Sequence, residues 1–228
     1  SYTLDLYVRK AKPLLLSVGG HLSSRPVNSG YLGLTYRHMG RSAASLHAET
    51  YFGKFYGSVK GEVSLDIPSV FPISASSYFV MNRWDYFRSF ATFFEDVKPS
   101  FLVQNEMYYG VKFKHPILNN SKGSFDLRWF NLEDNYYQTQ NFLSVDTTDE
   151  THLNGSLISY EITDNSLNRK QFASEGHYFT FKVKYLTALE TTIPGTTALF
   201  DSTVVKQHDW LNINMEGQYY FLTKPHIH

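Results

Sequence analysis

The sequence predicts an all-β fold, an antiparallel meander of about ten strands belonging to a transmembrane β-barrel. Three observations predict it. Segment after segment alternates apolar and polar residues with period two, the signature of a strand with two unlike faces. Aromatics make up 17% of 228 residues, with 17 Tyr and 18 Phe, and these side chains favour strands and membrane interfaces. No run approaches the roughly 18 apolar residues of a spanning helix.

Composition narrows the function. Lys plus Arg and Asp plus Glu are 21 each. That balance leaves no basic excess for a phosphate backbone, so nucleic acid is not an expected partner. There is no Cys, which removes disulfides, thiolate zinc sites and thiol nucleophiles. The chain opens at Ser1 without a signal-peptide pattern, as a mature or excised piece would.

Taken in order, Leu4, Leu6 and Val8 form a short alternating lead-in over residues 1–13, broken by Pro13. Leu14 to Leu22 reads as a strand with a Gly19-Gly20 kink, and Ser23 to Ser29 as a loop. Tyr31 to Met39 is the next strand. After a turn at Gly40 to Ala43, Ala44, Leu46, Ala48 and Phe52 oppose Ser45, His47, Glu49 and Tyr51. A tight connection at Gly53 to Phe55 leads into Val59, Val63, Leu65 and Ile67, set against Ser58, Lys60, Glu62, Ser64 and Asp66. Ile73 to Asn82 is a strand of mixed pattern, and Arg83 to Pro99 a long loop with a helical turn near Ser89 to Glu95. Met107, Tyr109, Val111 and Phe113 then oppose Glu106, Tyr108, Lys112 and Lys114.

His115 to Gly123 carries Pro, Asn and Gly and reads as a turn. Phe125, Leu127 and Trp129 oppose Ser124, Asp126 and Arg128. A polar, acidic loop is expected over Asn135 to Leu153. Ile158, Tyr160 and Ile162 oppose Ser159, Glu161 and Thr163. A turn at Asp164 to Gly176 follows, and then Phe179, Phe181, Val183 and Tyr185 oppose Thr180, Lys182 and Lys184. Thr191 to His208 reads as a third long loop. In the last strand Leu211, Ile213, Met215, Tyr219 and Phe221 oppose Asn212, Asn214, Glu216 and Gln218. Short turns alternate with mostly longer loops, with Gly53 breaking the rhythm. That is the layout of a barrel with short periplasmic turns and long extracellular loops.

A soluble sandwich or lipocalin-like barrel also produces two-faced strands, with the apolar face inward. The membrane barrel is preferred on three grounds. Tyr36, Phe113, Trp129, Tyr185, Tyr219 and Phe221 are placed near strand ends as interfacial girdles. Glu49, Lys60, Glu62, Asp126, Arg128, Glu161, Lys182, Lys184 and Glu216 lie in mid-strand on the polar parity, as charges lining a wet lumen would. Gly57, Gly61 and Gly217 sit on the apolar parity, where a packed core would be left with holes. On this reading Trp129, Phe179, Phe181, Tyr185, Leu211, Ile213, Met215, Tyr219 and Phe221 face lipid.

The turn Asn165-Ser-Leu-Asn-Arg-Lys-Gln-Phe-Ala-Ser-Glu-Gly176 before a strand resembles the mid-barrel turn of the surface-antigen, or barrel-assembly, superfamily of outer-membrane barrels. Asn165, Leu167, Arg169, Gln171, Phe172 and Gly176 carry that likeness, and Ala173 departs from it where the family has Pro. Gly19-Gly20-His21, the Asn28-Ser-Gly30-Tyr31 strand entry and the stretch Phe94 to Phe101 narrow the resemblance to the barrel that follows a patatin-like phospholipase domain in Bacteroidetes-type proteins. The resemblance implies a barrel of about sixteen strands, whose remainder lies beyond residue 228. It implies a bacterial outer-membrane location, with outer-membrane lipid, lipopolysaccharide and other outer-membrane or periplasmic proteins as partners. It also implies a non-catalytic barrel that anchors or exports a lipid-hydrolysing domain. An assembly or secretion factor of the same superfamily is the alternative, and a porin a weaker one.

No catalytic motif is present. Gly40-Arg-Ser42-Ala-Ala44 is the nearest approach to a nucleophile elbow, but it falls between two strands rather than between a strand and a helix, so Ser42 reads as a turn residue. His226 and His228 have same-face spacing but read as a frayed end. Asp146, Asp149 and Glu150 form an acidic loop cluster whose simplest reading is solvation, with Ca²⁺ as the sharper one. Tyr86 to Phe94 reads as a loop over the barrel mouth or a contact surface. Glu49 and Glu62 read as lumen charges paired with Lys60 or Arg128, not as an acid/base couple. No cofactor or metal is expected.

Overall fold

A computed structural model describes residues 12–22, 28–86, 102–139, 141–143, 145–169 and 171–221. Among the described residues ten strands form: β1 (Leu14–His21), β2 (Ser29–Met39), β3 (Ala43–Gly53), β4 (Tyr56–Ile67), β5 (Ile73–Asp85), β6 (Leu102–Leu118), β7 (Ser121–Tyr136), β8 (Asp149–Asn165), β9 (Gly176–Ile193) and β10 (Val204–Tyr220). They form one antiparallel sheet in sequence order, a pure meander. Among the described residues β1 pairs only with β2 and β10 only with β9, so this sheet is open. The start of β1 and the end of β10 lie at the same end of the sheet as the turns at 40–42, 68–72, 119–120 and 166–175.

The later strands are longer than their alternation indicates. The segment His115 to Gly123 is strand except at Asn119-Asn120, with a register shift at Pro116/Leu118 that accommodates the missing proline donor. Arg83 to Asp85 continue β5, Asn135 and Tyr136 continue β7, and Asp149 to Leu153 open β8. Thr191 to Ile193 close β9, and Val204 to His208 open β10. These residues are polar or mixed, which resembles loop composition. Ladder pairing such as Tyr136 with Asp149 and Val204 with Thr192 keeps them extended. Trp129 and Tyr185, expected near strand ends, therefore sit mid-strand. The lead-in at Leu4, Leu6 and Val8, most of the Ser23 loop, the helical turn at Ser89, the Phe94 to Phe101 motif, His226 and His228 lie outside the described residues.

Candidate functional site

The site is one face of the sheet, and the register defines it. Cross-strand partners share a face, so Glu49–Lys60 on β3 and β4, Lys112–Asp126 on β6 and β7, and Glu161–Lys182–Asn214 on β8 to β10 all point the same way. All nine charged residues expected to line a lumen fall on this face: Glu49, Lys60, Glu62, Asp126, Arg128, Glu161, Lys182, Lys184 and Glu216. The opposite face carries Val63, Phe113, Trp129, Ile158, Phe179, Phe181, Tyr185, Leu211, Ile213, Met215 and Tyr219.

Burial is inverted with respect to a soluble sheet. Asp126 and Ser159 on the charged face are 8% and 4% exposed, whereas Phe113, Trp129 and Ile158 on the apolar face are 45–47% exposed within interior strands. The charged face is thus enclosed and the apolar face open.

The inversion covers only part of the strand length. On β7 the open face runs Phe125, Leu127, Trp129 and then Asn131, Glu133, Asn135, while the enclosed face runs Asp126, Arg128 and then Phe130, Leu132. β8 changes at the same level: Ile158 faces out, but so do Asn154 and His152, and Leu157 and Leu153 face in. Past Tyr185 and Leu211, Leu186, Ala188 and Trp210 lie on the enclosed face, and Thr187 and Asp209 on the open one. Beyond this level, at the end with the long loops, β7 and β8 return to the arrangement of a water-soluble sheet, whereas on β9 and β10 the change is local: Leu189 and Val205 are again exposed on the open face, and His208 pairs with Glu190 on the enclosed one. Aromatics mark the change. Tyr109 stacks on Trp129 at 6.0 Å, and Tyr185 donates its hydroxyl to Asp209 at 3.0 Å.

The enclosed face is a set of local ion pairs. Lys60 Nζ lies 3.8 Å from both Glu49 and Glu62. Lys182 lies 2.8 Å from Glu161, and Glu216 accepts from Gln218 at 3.3 Å. Arg128 pairs with Asp126 at 3.2 Å, not with the glutamates, and its guanidinium also sits over the Tyr108 ring at 4.8 Å. Tyr78, whose strand has no clean alternation in sequence, is the unforeseen member. Its hydroxyl donates to Asp126 at 2.6 Å and accepts from Arg128 at 3.0 Å. Partly exposed pairs of this kind are worth only about 0–1 kcal/mol each. Their evident role is to satisfy charge on a face where side chains crowd.

Among the described residues two hydroxyl–imidazole–carboxylate contacts occur, and neither resembles a working nucleophile. Thr35 Oγ1 meets His47 Nδ1 at 3.0 Å, and His47 Nε2 meets Glu49 at 3.1 Å, but in mid-strand the ladder uses the backbone N–H groups that an oxyanion would need. Ser166 Oγ lies 2.8 Å from His177 Nδ1, and His177 Nε2 3.1 Å from Asp164. Ser166 Oγ also accepts the His177 amide at 3.0 Å, which closes a hairpin. Ser42 is a turn residue, its carbonyl accepting from Gly40 at 3.1 Å.

The turn between Asn165 and Gly176 is built partly by residues that carried the family likeness (Asn165, Leu167 and Gly176) and partly by Ser166, Asn168 and Ser174. Asn168 accepts from the Ser174 amide at 3.2 Å and donates to its hydroxyl at 3.0 Å, and Ser166 pairs with His177. Asn165 Oδ1 accepts from the Leu167 amide at 3.1 Å. Gly176 has φ +103°, and a side chain there would strike Ser166 O. Phe172 has φ 54° and is 93% exposed; Arg169 and Gln171 are also exposed.

The acidic loop cluster is dispersed. Asp146 turns back to Leu143 and Thr196, Glu150 pairs with His152 at 3.5 Å, and Asp149 is buried. Among the described residues no three His, Asp or Glu side chains group as metal ligands. No protein-family model matches the chain, and no curated protein matches it significantly.

Proposed function

We propose that this chain is a portion of a transmembrane β-barrel in a bacterial outer membrane, with the charged face toward a hydrated lumen and the apolar face toward lipid. The observation that carries the reading is the inverted burial, limited on β7 and β8 to one band along the strands. An exposed apolar face is costly in water at about 25 cal/mol per Å² and favourable in lipid. From Leu211 on β10 to Phe221 just past its end the band measures roughly 33 Å, or about 25 Å when tilted by about 40°, which matches the apolar height of such barrels. Beyond the band the outward side chains of β7 and β8 become polar (Asn131, Glu133 and Asn135; Asn154 and His152), as a surface leaving the hydrocarbon requires. A backbone in lipid also needs every edge paired, so the open edges of β1 and β10 would be closed by further strands.

The likeness around Asn165 to Gly176 favours the barrel of a patatin-like phospholipase within the surface-antigen superfamily. In that setting the barrel is non-catalytic and holds or exports a hydrolase domain. The short-turn end would be periplasmic and the long-loop end extracellular.

Quenching of Trp129 fluorescence by brominated lipid tests the reading. In proteoliposomes, bromines placed near the headgroup should quench Trp129 more than bromines at the bilayer centre. A chain that is soluble and monodisperse without detergent would overturn the proposal.

A further inference from the structure

The long-loop end of β7 to β10 contains an unusual carboxylate. Asp149, the first residue of β8, is 0% exposed, the only large side chain so completely enclosed among the described residues. Its Oδ1 accepts the Gly195 amide at 2.7 Å. Its Oδ2 has no partner. A buried carboxylate with one neutral donor and a bare oxygen is expensive unless another positive group answers it.

The surroundings are rich in oxygen. The loop segments at 145–148 and 194–198 are stitched together: Thr196 N donates to Thr147 O at 3.2 Å, Thr147 N to Thr196 Oγ1 at 3.0 Å, and Thr196 Oγ1 to Asp146 at 3.0 Å. The carbonyls of Thr147 and Thr148 press so closely on Gly195 that no side chain would fit there. A second buried, unpartnered oxygen, Thr197 Oγ1, belongs to the same turn, closed by Ala198 N donating to Gly195 O at 3.4 Å.

We infer that this loop seam binds a hard divalent cation of the Ca²⁺ class. Asp149 Oδ2 is the anionic ligand, and Thr197 Oγ1 and the Thr148 carbonyl are neutral ones. Oxygen-only donors select such an ion over zinc or copper. A single carboxylate places the affinity at the weak, extracellular end of the range, about 10⁻⁴–10⁻³ M. Asp146 and Glu150, whose carboxylates have partners elsewhere, are not required. The inference stands on the loops and does not rest on the membrane reading.

Hydrogen exchange followed by mass spectrometry on the full, folded chain tests it. With Ca²⁺ at about ten times its dissociation constant, exchange over 145–149 and 194–198 should slow by about tenfold relative to chelator. Asp149→Asn should lose this response, Thr197→Val should need several-fold more Ca²⁺, and Glu150→Gln should respond as the parent does. Protection at Leu157 and Leu186, in the middle of β8 and β9, reports whether each variant is folded, and if Asp149→Asn is not, Thr197→Val decides. Exchange indifferent to Ca²⁺, or folded variants at both positions that respond like the parent, would overturn the inference.

Discussion

Tyr78 on β5 donates its hydroxyl to Asp126 on β7 at 2.6 Å, over the top of β6. Gly110 on β6 makes the passage possible, because a Cβ there would run into the Tyr78 ring and hydroxyl. Arg128 donates to the same phenol oxygen at 3.0 Å. One neutral side chain thus ties an acid and a base across three strands.

Tyr78→Phe should leave Asp126 and Arg128 each short of one partner. Losing a hydrogen bond to a charged, enclosed group costs roughly 1–3 kcal/mol. The urea midpoint of the folded protein in detergent should fall accordingly, and an unchanged midpoint would show that the phenol bridge contributes nothing.

Gly110→Ala should displace Tyr78 and cost about 1–3 kcal/mol, as overpacking does. Gly61→Ala is the paired control. A Cβ at Gly61 meets nothing within 4 Å, so that variant should stay within about 0.5 kcal/mol of the parent. Equal effects at the two positions would contradict the crowding of the enclosed face.

Ile213→Arg and Asn214→Arg separate lipid from water as the solvent of the open face. The residues are neighbours on β10 and point to opposite faces. In a bilayer Ile213→Arg should cost about 2–4 kcal/mol and Asn214→Arg little. If the open face meets water, Ile213→Arg should be nearly neutral and improve solubility.

Phe172→Gly should raise stability. The left-handed conformation costs a bulky residue about 1–2 kcal/mol relative to glycine, and Phe172, 93% exposed, gives up almost no packing. Glycine's greater freedom in the unfolded chain offsets part of that, leaving a gain of roughly 0.5–1 kcal/mol. Gly176→Ala, at φ +103°, should lower stability. A melt that moves the other way at either position would refute the turn geometry.

Much of this was legible in the residues themselves. Ten strands, their order along the chain and the parity of the nine charged residues follow from period-two alternation, since a one-residue slip would turn every side chain over. The long ends of β7 to β10 were not legible, because the alternation changes phase at Trp129–Phe130, Leu157–Ile158 and Leu186. A strand whose two faces exchange polarity looks like a strand that stops. Tyr78 was missed for a related reason: on β5 it shares the enclosed face with Val80 and serines, so no charged parity marks it.

The sequence by itself determined that the chain is all-β and that each strand has two unlike faces, because side-chain direction in a strand depends only on position. Which face is enclosed was decided only by the tertiary structure, since burial depends on how ten strands pair and crowd together. The same holds for Asp149. Its carboxylate reads as one more loop acid until Gly195, nearly fifty residues later, closes over it.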